Sequence, residues 1–334
     1  APSTLWRRGV GVCEENTMAE HSTAFVFPGQ GSQKIGMLAE SYDRFPAVRA
    51  TFEEASQVLG YDMWDLIQNG EQEALNLTET TQPVLLSASV ALWRAWLDEA
   101  GAAPAVMAGH SLGEFSALVC AGALEFADAV QLVRQRGAFM QTAVPVGEGA
   151  MAAIIGLDDE AINEICSGVA ESSGEVVSAV NFNSPGQVVI AGHTEAVAAA
   201  VDALKQAGAK RAMPLPVSAP FHTSLMKPAG EKLAEAIAAI KIASPAIPVI
   251  HNVNADSETD PEKIRGLLVE QIYSPVQWTQ CVQGMLSRDV GVVIECGPGK
   301  VLSGLIRRID KSISSHALES PEGMQVALDE LSQS

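Results

Sequence analysis

The sequence predicts an α/β protein in which a mainly parallel sheet, covered by helices on both faces, carries a smaller inserted unit. Three observations lead there. Short apolar β-rich runs alternate with helical periodicities along most of the chain. Between about Gly149 and Pro214 that order gives way to β-α-β-β-α-β, the ferredoxin-like arrangement of four strands and two helices. A short apolar strand, AAPAVMAG, also runs through a sharp Gly-His-Ser-Leu-Gly turn straight into a helical pattern.

Taken in order, residues 1–17 lack the continuous apolar core of a secretory signal, and domain-like patterning starts only after Met18. They are expected to be a tag or upstream extension outside the fold. From Thr23 the run TAFVF predicts a strand, and PGQGSQ a tight loop whose glycines leave backbone N–H groups turned outward. A helix is predicted over Gln82–Glu99. Its most apolar part, Pro83–Leu97, is too short and, with Arg94, too polar to span a bilayer. The elbow strand, a helix to Ala121 and a helix from Phe126 to about Gln141 follow. The inserted unit comprises MAAIIG, a helix from Asp158, VVSAVNF, QVVIAG, a helix from Thr194 and KRAMPL. The larger unit then resumes with a helix after His222, a strand near PVIHNV, two helices, the apolar strand VGVVIEC and a Gly-Pro-Gly turn into a last helix. The polar tail after about Ser312 is expected to pack loosely. The implied division is 18–146 with 215–334 as the large subdomain and 147–214 as the small one.

With 334 residues, 47% of them apolar, the chain can bury a large core. Its net charge of −19 repels nucleic-acid phosphates and anionic membranes, so neither is an expected partner. Five scattered cysteines, Cys13, Cys120, Cys166, Cys281 and Cys296, have no zinc or disulfide spacing and suggest reduced thiols in a cytoplasm. Nothing suggests a metal or a tightly held cofactor. In the absence of a coiled-coil pattern the expected state is a monomer.

Gly109-His110-Ser111-Leu112-Gly113 fits a nucleophile elbow: a strained turn exposes the serine, and glycines on either side avoid collision. The following helix start offers free N–H groups and the positive end of the macrodipole to an oxyanion. The competing reading is a turn whose serine only caps the helix. His110 points away from its neighbour and suits a supporting role behind the elbow. Of six histidines, His222 ends the constrained loop Pro214-Leu-Pro-Val-Ser-Ala-Pro-Phe-His, which ranks it slightly above His251 as the base. No acidic residue convincingly completes a triad, so a Ser-His dyad is expected. On the helix from Phe126, Arg136 shares the apolar stripe of Ala129, Leu132, Val133, Phe139 and Met140, which turns it inward. A buried cation needs an anion, and the pattern alone leaves a protein carboxylate and a substrate carboxylate equally open.

Four motifs, Phe27-Pro-Gly-Gln-Gly-Ser-Gln33, Gly109-His-Ser-Leu-Gly-Glu114, Asn181-Phe-Asn-Ser-Pro-Gly186 and Gly297-Pro-Gly299, together resemble the malonyl-CoA:acyl carrier protein transacylase family in order and spacing. The resemblance covers Thr23 to about Ile309. It implies an α/β-hydrolase-like subdomain holding the ferredoxin-like insertion. It also implies Ser111 as nucleophile, His222 as base, the backbone carbonyl of Gln271 as the histidine's support, Gln30 and Leu112 N–H groups as oxyanion hole, and Arg136 as anchor of the malonyl carboxylate. The implied substrate is malonyl-CoA and the implied partner acyl carrier protein, in fatty-acid biosynthesis. Lys300, Arg307, Arg308 and Lys311 are a candidate docking patch for an acidic carrier. The alternatives are a serine thioesterase or hydrolase on the same elbow, an acyltransferase for another acyl-CoA, and a non-catalytic acyl-binding protein.

Overall fold

A computed structural model describes residues 22–217 and 219–332. The 1–17 extension and Ser218 of the loop before His222 lie outside them. Among the described residues nine strands form two sheets: β1 (Ser22–Phe27), β2 (Val106–Gly109), β3 (Gly149–Ile155), β4 (Val177–Ser184), β5 (Gln187–His193), β6 (Arg211–Pro214), β7 (Val249–Ile250), β8 (Val290–Glu295) and β9 (Ser314–Ala317). The first sheet has order β7-β2-β1-β8-β9 and is parallel throughout. The second has order β4-β5-β3-β6 and is antiparallel. With its two helices, Asp159–Ser173 and Thr194–Gln206, it is the ferredoxin-like unit inserted into the α/β-hydrolase-like one.

The parallel sheet is buried on both faces because its strands alternate between two apolar sets. Phe25, Phe27 and Met107 face one side, where Phe25 meets Trp93 and Trp96 edge-on at 5.3 Å. Ala24, Val26, Val106 and Ala108 face the other, against Val282, Met285, Leu302 and Ile306. Each fully buried phenylalanine contributes about 1.5–3 kcal/mol relative to an exposed one.

The long helix runs from Thr78 to Asp98, one turn earlier than its sequence pattern indicates. Pro83, a residue favoured at the first position of a helix, lies inside this one. The extra turn is anchored by Thr81, whose hydroxyl donates to the carbonyls of Leu75 and Leu77. The helix Phe126–Thr142 packs tightly on it at Gly137, where a Cβ would come within 2.4 Å of the Thr78 carbonyl oxygen. That approach brings Arg136 beside Gln82.

The tail is not loose. Ser314–Ala317 adds β9 to the sheet edge in parallel with β8, and the helix Pro321–Ser332 buries Met324 and Ala327. His316 Nε2 meets Glu330 Oε2 at 2.5 Å. The spacing Met324, Ala327, Leu328, Leu331 is an amphipathic stripe that the polar composition of the tail conceals.

The two sheets are joined through β4. The Phe182 N–H donates to the Val276 carbonyl and the Val276 N–H to Val180, while Arg308 on the helix Val301–Ile309 reaches the Gln187 side chain at the start of β5.

Candidate active site

The carboxyl ends of β1 and β2 open onto one side of the sheet, where ligands of such folds collect. After β2 the chain turns so sharply that a Cβ on Gly109 would lie 1.9 Å from Gly113, and one on Gly113 would lie 2.0 Å from the Phe27 carbonyl oxygen. Only glycine fits at either position. Between them Ser111 takes φ 51° and ψ −108°, a conformation costing about 1–3 kcal/mol that the surroundings must hold. They do so with two buried amides. Asn252 Oδ1 accepts the Ser111 N–H at 2.8 Å while its Nδ2 donates to the Gly109 carbonyl at 2.7 Å. Gln271 Nε2 donates to the Ser111 carbonyl at 3.0 Å.

His222 also has a positive φ, 63°, and is buried. Its Nε2 lies 2.9 Å from Ser111 Oγ, and its Nδ1 lies 2.9 Å from the Gln271 carbonyl oxygen. Since a carbonyl only accepts, Nδ1 carries the hydrogen and Nε2 presents a lone pair to the serine. Burial, followed by the positive charge of Arg136, pushes the His222 pKa down to about 3, with the hydrogen bond to Gln271 opposing. It is a neutral imidazole at neutral pH.

Arg136 is 1% exposed. Its Nη1 donates to Gln82 Oε1 at 2.8 Å, and its Nη2 to Gln271 Oε1 at 2.7 Å and to Ser111 Oγ at 3.2 Å. The guanidinium stands over the Phe115 ring at 5.1 Å, and its Nε has no partner. Among the described residues no carboxylate lies within ion-pair distance of it. Burial lowers its pKa to about 10, with the Glu114 charge opposing, so it stays protonated at neutral pH.

Gln30, Gln82, Ser111, Leu112, Arg136, Phe221 and His222 are among the residues lining one cavity of about 140 Å³. Gln30 and Leu112 line this space together with Ser111, and Leu112 is the first residue of the helix Leu112–Cys120, where a backbone N–H has no residue four positions earlier in the helix to pair with. His110 borders the same cavity, but its ring is held by the inserted unit. Its Nε2 is 2.8 Å from Asn183 Oδ1 on β4, its ring packs 5.6 Å from that of Trp278, and burial lowers its pKa. It ties the elbow to the inserted unit.

His251, the other histidine considered, is fully buried away from Ser111, with Nδ1 2.6 Å from Glu114 Oε1. Glu114 Oε2 accepts the Asn252 N–H and Gln271 Nε2, both at 2.9 Å. Glu114, Asn252 and Gln82 have no role in the sequence reading. Glu114 follows the elbow directly, and a carboxylate on the buried side of a helix is the one signal that marks it. Asn252 and Gln82 are ordinary polar residues whose positions emerge only when distant segments meet. No group of three or more His, Cys, Asp or Glu among the described residues could hold a metal, and no described helix is long and apolar enough to cross a membrane. The four described cysteines are buried and unpaired.

A parallel sheet with an elbow serine at its carboxyl edge, interrupted by a ferredoxin-like unit, defines the acyltransferase class of α/β proteins. The acyl transferase domain model matches residues 24–321. The chain belongs to this family, and within it to the malonyl CoA-acyl carrier protein transacylases. It is 59% identical over 306 residues to the transacylase of that name from Escherichia coli strain K12, covering 92% of this chain and 98% of that one. The Bacillus subtilis strain 168 protein of the same name is 48% identical, covering 92% and 96%. The solved malonyl CoA-acyl carrier protein transacylase of Coxiella burnetii superposes with a TM-score of 0.92 at 50% identity, over 93% of this chain and 98% of that one. A malonyl-transacylase solved in complex with a type II PKS acyl-carrier protein gives 0.91 at 54%, over 92% and 99%.

Proposed function

We propose that this chain transfers the malonyl group of malonyl-CoA to the phosphopantetheine thiol of acyl carrier protein through a malonyl ester on Ser111. The observation that carries the reading is Arg136: a buried cation without a carboxylate partner, 3.2 Å from the serine oxygen and lining the same cavity. A carboxylate on the acyl group completes it, whereas an acetyl group leaves it desolvated and unpaired. The names of the relatives support the same substrate and carrier.

In the first half-reaction His222 Nε2 takes the Ser111 hydroxyl proton as Oγ bonds to the thioester carbon. The oxyanion is received by the N–H groups of Gln30 and Leu112. The C–S bond then breaks, and the coenzyme A sulfur leaves with the proton from His222. In the second half-reaction His222 takes the proton of the carrier thiol, its sulfur attacks the ester, and Ser111 leaves with the proton. Gln271 fixes the imidazole through its carbonyl, and His110 supports the elbow from behind. The reaction asks for no resident cofactor. A thioesterase would have no use for Arg136.

The reading places the chain in the cytoplasm as a monomer in fatty-acid biosynthesis. The large subdomain spans 18–146 and 215–334, and 147–214 forms the small one. Initial rates with malonyl-CoA and carrier protein both varied test the two-step scheme. Parallel double-reciprocal lines are expected, and lines that intersect contradict it.

A further inference from the structure

Ser111 Oγ lies between two groups, Arg136 Nη2 at 3.2 Å and His222 Nε2 at 2.9 Å. A guanidinium only donates, so Oγ accepts from Arg136 and its single hydroxyl proton is left for Nε2. The arrangement aims the proton at the base. It also sets a positive charge beside a histidine that must itself become positive to act.

The charged and titratable groups around that histidine are few. Arg136 comes from the Phe126–Thr142 helix, His110 from the end of β2, and Glu114, paired with His251, from the Leu112–Cys120 helix. The segment after the Pro261–Gln271 helix presents only main-chain groups of Gln271 and Ser274. Two carboxylates are fully buried among the described residues. Glu295 accepts the N–H groups of Leu302 and Ser303, and Glu114 is occupied by His251, Asn252 and Gln271. Arg136 therefore has no direct counter-ion, and its Nε remains unpartnered. Its charge is among the causes that hold His222 far below an ordinary histidine. Such a base takes a proton from serine poorly, and binding of the acyl carboxylate is the step that changes the nearby charge.

We infer that Arg136 sets the strength of the base as well as the identity of the acyl group. While the site is empty its charge adds to burial in keeping His222 from accepting a proton, and a carboxylate settling on the guanidinium cancels that charge and lets the histidine take the Ser111 proton more readily. The inference rests on the malonyl-transfer reading. Only proton location changes: the Oγ–H bond breaks as Nε2–H forms, and the Oγ pair bonds to the thioester carbon. An opposite charge at this range moves a titration by roughly one to three pH units. An acyl group without a carboxylate can occupy the cavity and still leave the base weak, so discrimination acts on the chemical step as well as on binding.

The test is a ¹³Cε1-histidine NMR titration of the full chain from pH 3 to 8, with circular dichroism confirming the fold at each point and the His222 signal assigned by its loss in His222→Gln. The chain is titrated empty, saturated with malonyl-CoA whose thioester sulfur is replaced by NH, and saturated with the acetyl counterpart. The malonyl amide is expected to raise the His222 midpoint by at least one pH unit relative to the acetyl amide. In the empty Arg136→Gln chain the midpoint is expected to rise similarly. If both amides bind and His222 titrates alike, the coupling is overturned while the substrate reading stands. If the malonyl amide binds no more tightly than the acetyl amide, the substrate reading fails and the inference with it.

Discussion

The side-chain oxygen of Asn252 accepts the backbone N–H of Ser111 at 2.8 Å, across 141 positions of sequence. The serine's left-handed backbone leaves that N–H without a helical partner, and Asn252 supplies one while its own N–H₂ holds the Gly109 carbonyl. The elbow is thus held by the loop after β7 as well as by its own glycines. Asn252→Ala is expected to leave a buried donor unpaired at a cost of about 1–3 kcal/mol. A lowered melting temperature together with acylation slowed more than tenfold is the expected result. Unchanged melting and acylation would remove Asn252 from this role.

Glu114 is fully buried and receives hydrogen bonds from Asn252 and Gln271 while facing His251. Glu114 Oε2 accepts from the Gln271 amide nitrogen, which turns that nitrogen toward Glu114 and so points Gln271 Oε1 at Arg136. Glu114→Gln puts a donor among donors. Urea unfolding is expected to show a loss of about 1–3 kcal/mol, the cost of leaving a buried donor without an acceptor.

Arg136→Lys keeps the charge but cannot span Gln82, Gln271 and a carboxylate at once. The ratio of malonyl to acetyl transfer is expected to fall at least tenfold. In Arg136→Ala the loss is expected to reach about 2–5 kcal/mol of transition-state binding to malonyl-CoA. Competition between the two thioesters in one reaction reads the ratio directly, and an unaltered ratio would refute the anchor.

Much of this was legible in the chain, and what was not has a physical reason. The elbow is local: strand, glycine pair and helix lie within fifteen residues and announce themselves together. Arg136 is legible through helical periodicity, which fixes its inward direction but says nothing of its company. Gln271 is reached only through resemblance, since a carbonyl that supports a histidine leaves no mark on its own side chain. Gln82 and Asn252 meet their partners across 54 and 141 positions, where no periodicity operates. The order of the tail is hidden from the sequence because β9 is the polar, half-buried run SSHA at a sheet edge, ordered by backbone pairing with β8.

Acid stability follows from His222. Burial and then Arg136 hold its folded pKa at about 3, below the unfolded value of about 6.5. As pH falls through 6.5 the unfolded chain gains a proton that the folded chain refuses. Stability contributed above that pH is therefore lost progressively toward pH 3, with a limiting slope of about 1.4 kcal/mol per pH unit. His110, also lowered by burial, adds to the same trend. His222→Gln is expected to flatten the decline in urea-unfolding free energy between pH 7 and pH 5. An equally steep decline in the variant would contradict the assignment.

Intact mass after brief mixing with malonyl-CoA, compared between the native chain and Ser111→Ala, tests the central claim most directly. The account predicts a single malonyl adduct on the native chain and none on the variant. An adduct that persists in Ser111→Ala, or a native chain that takes up no malonyl group, would contradict it.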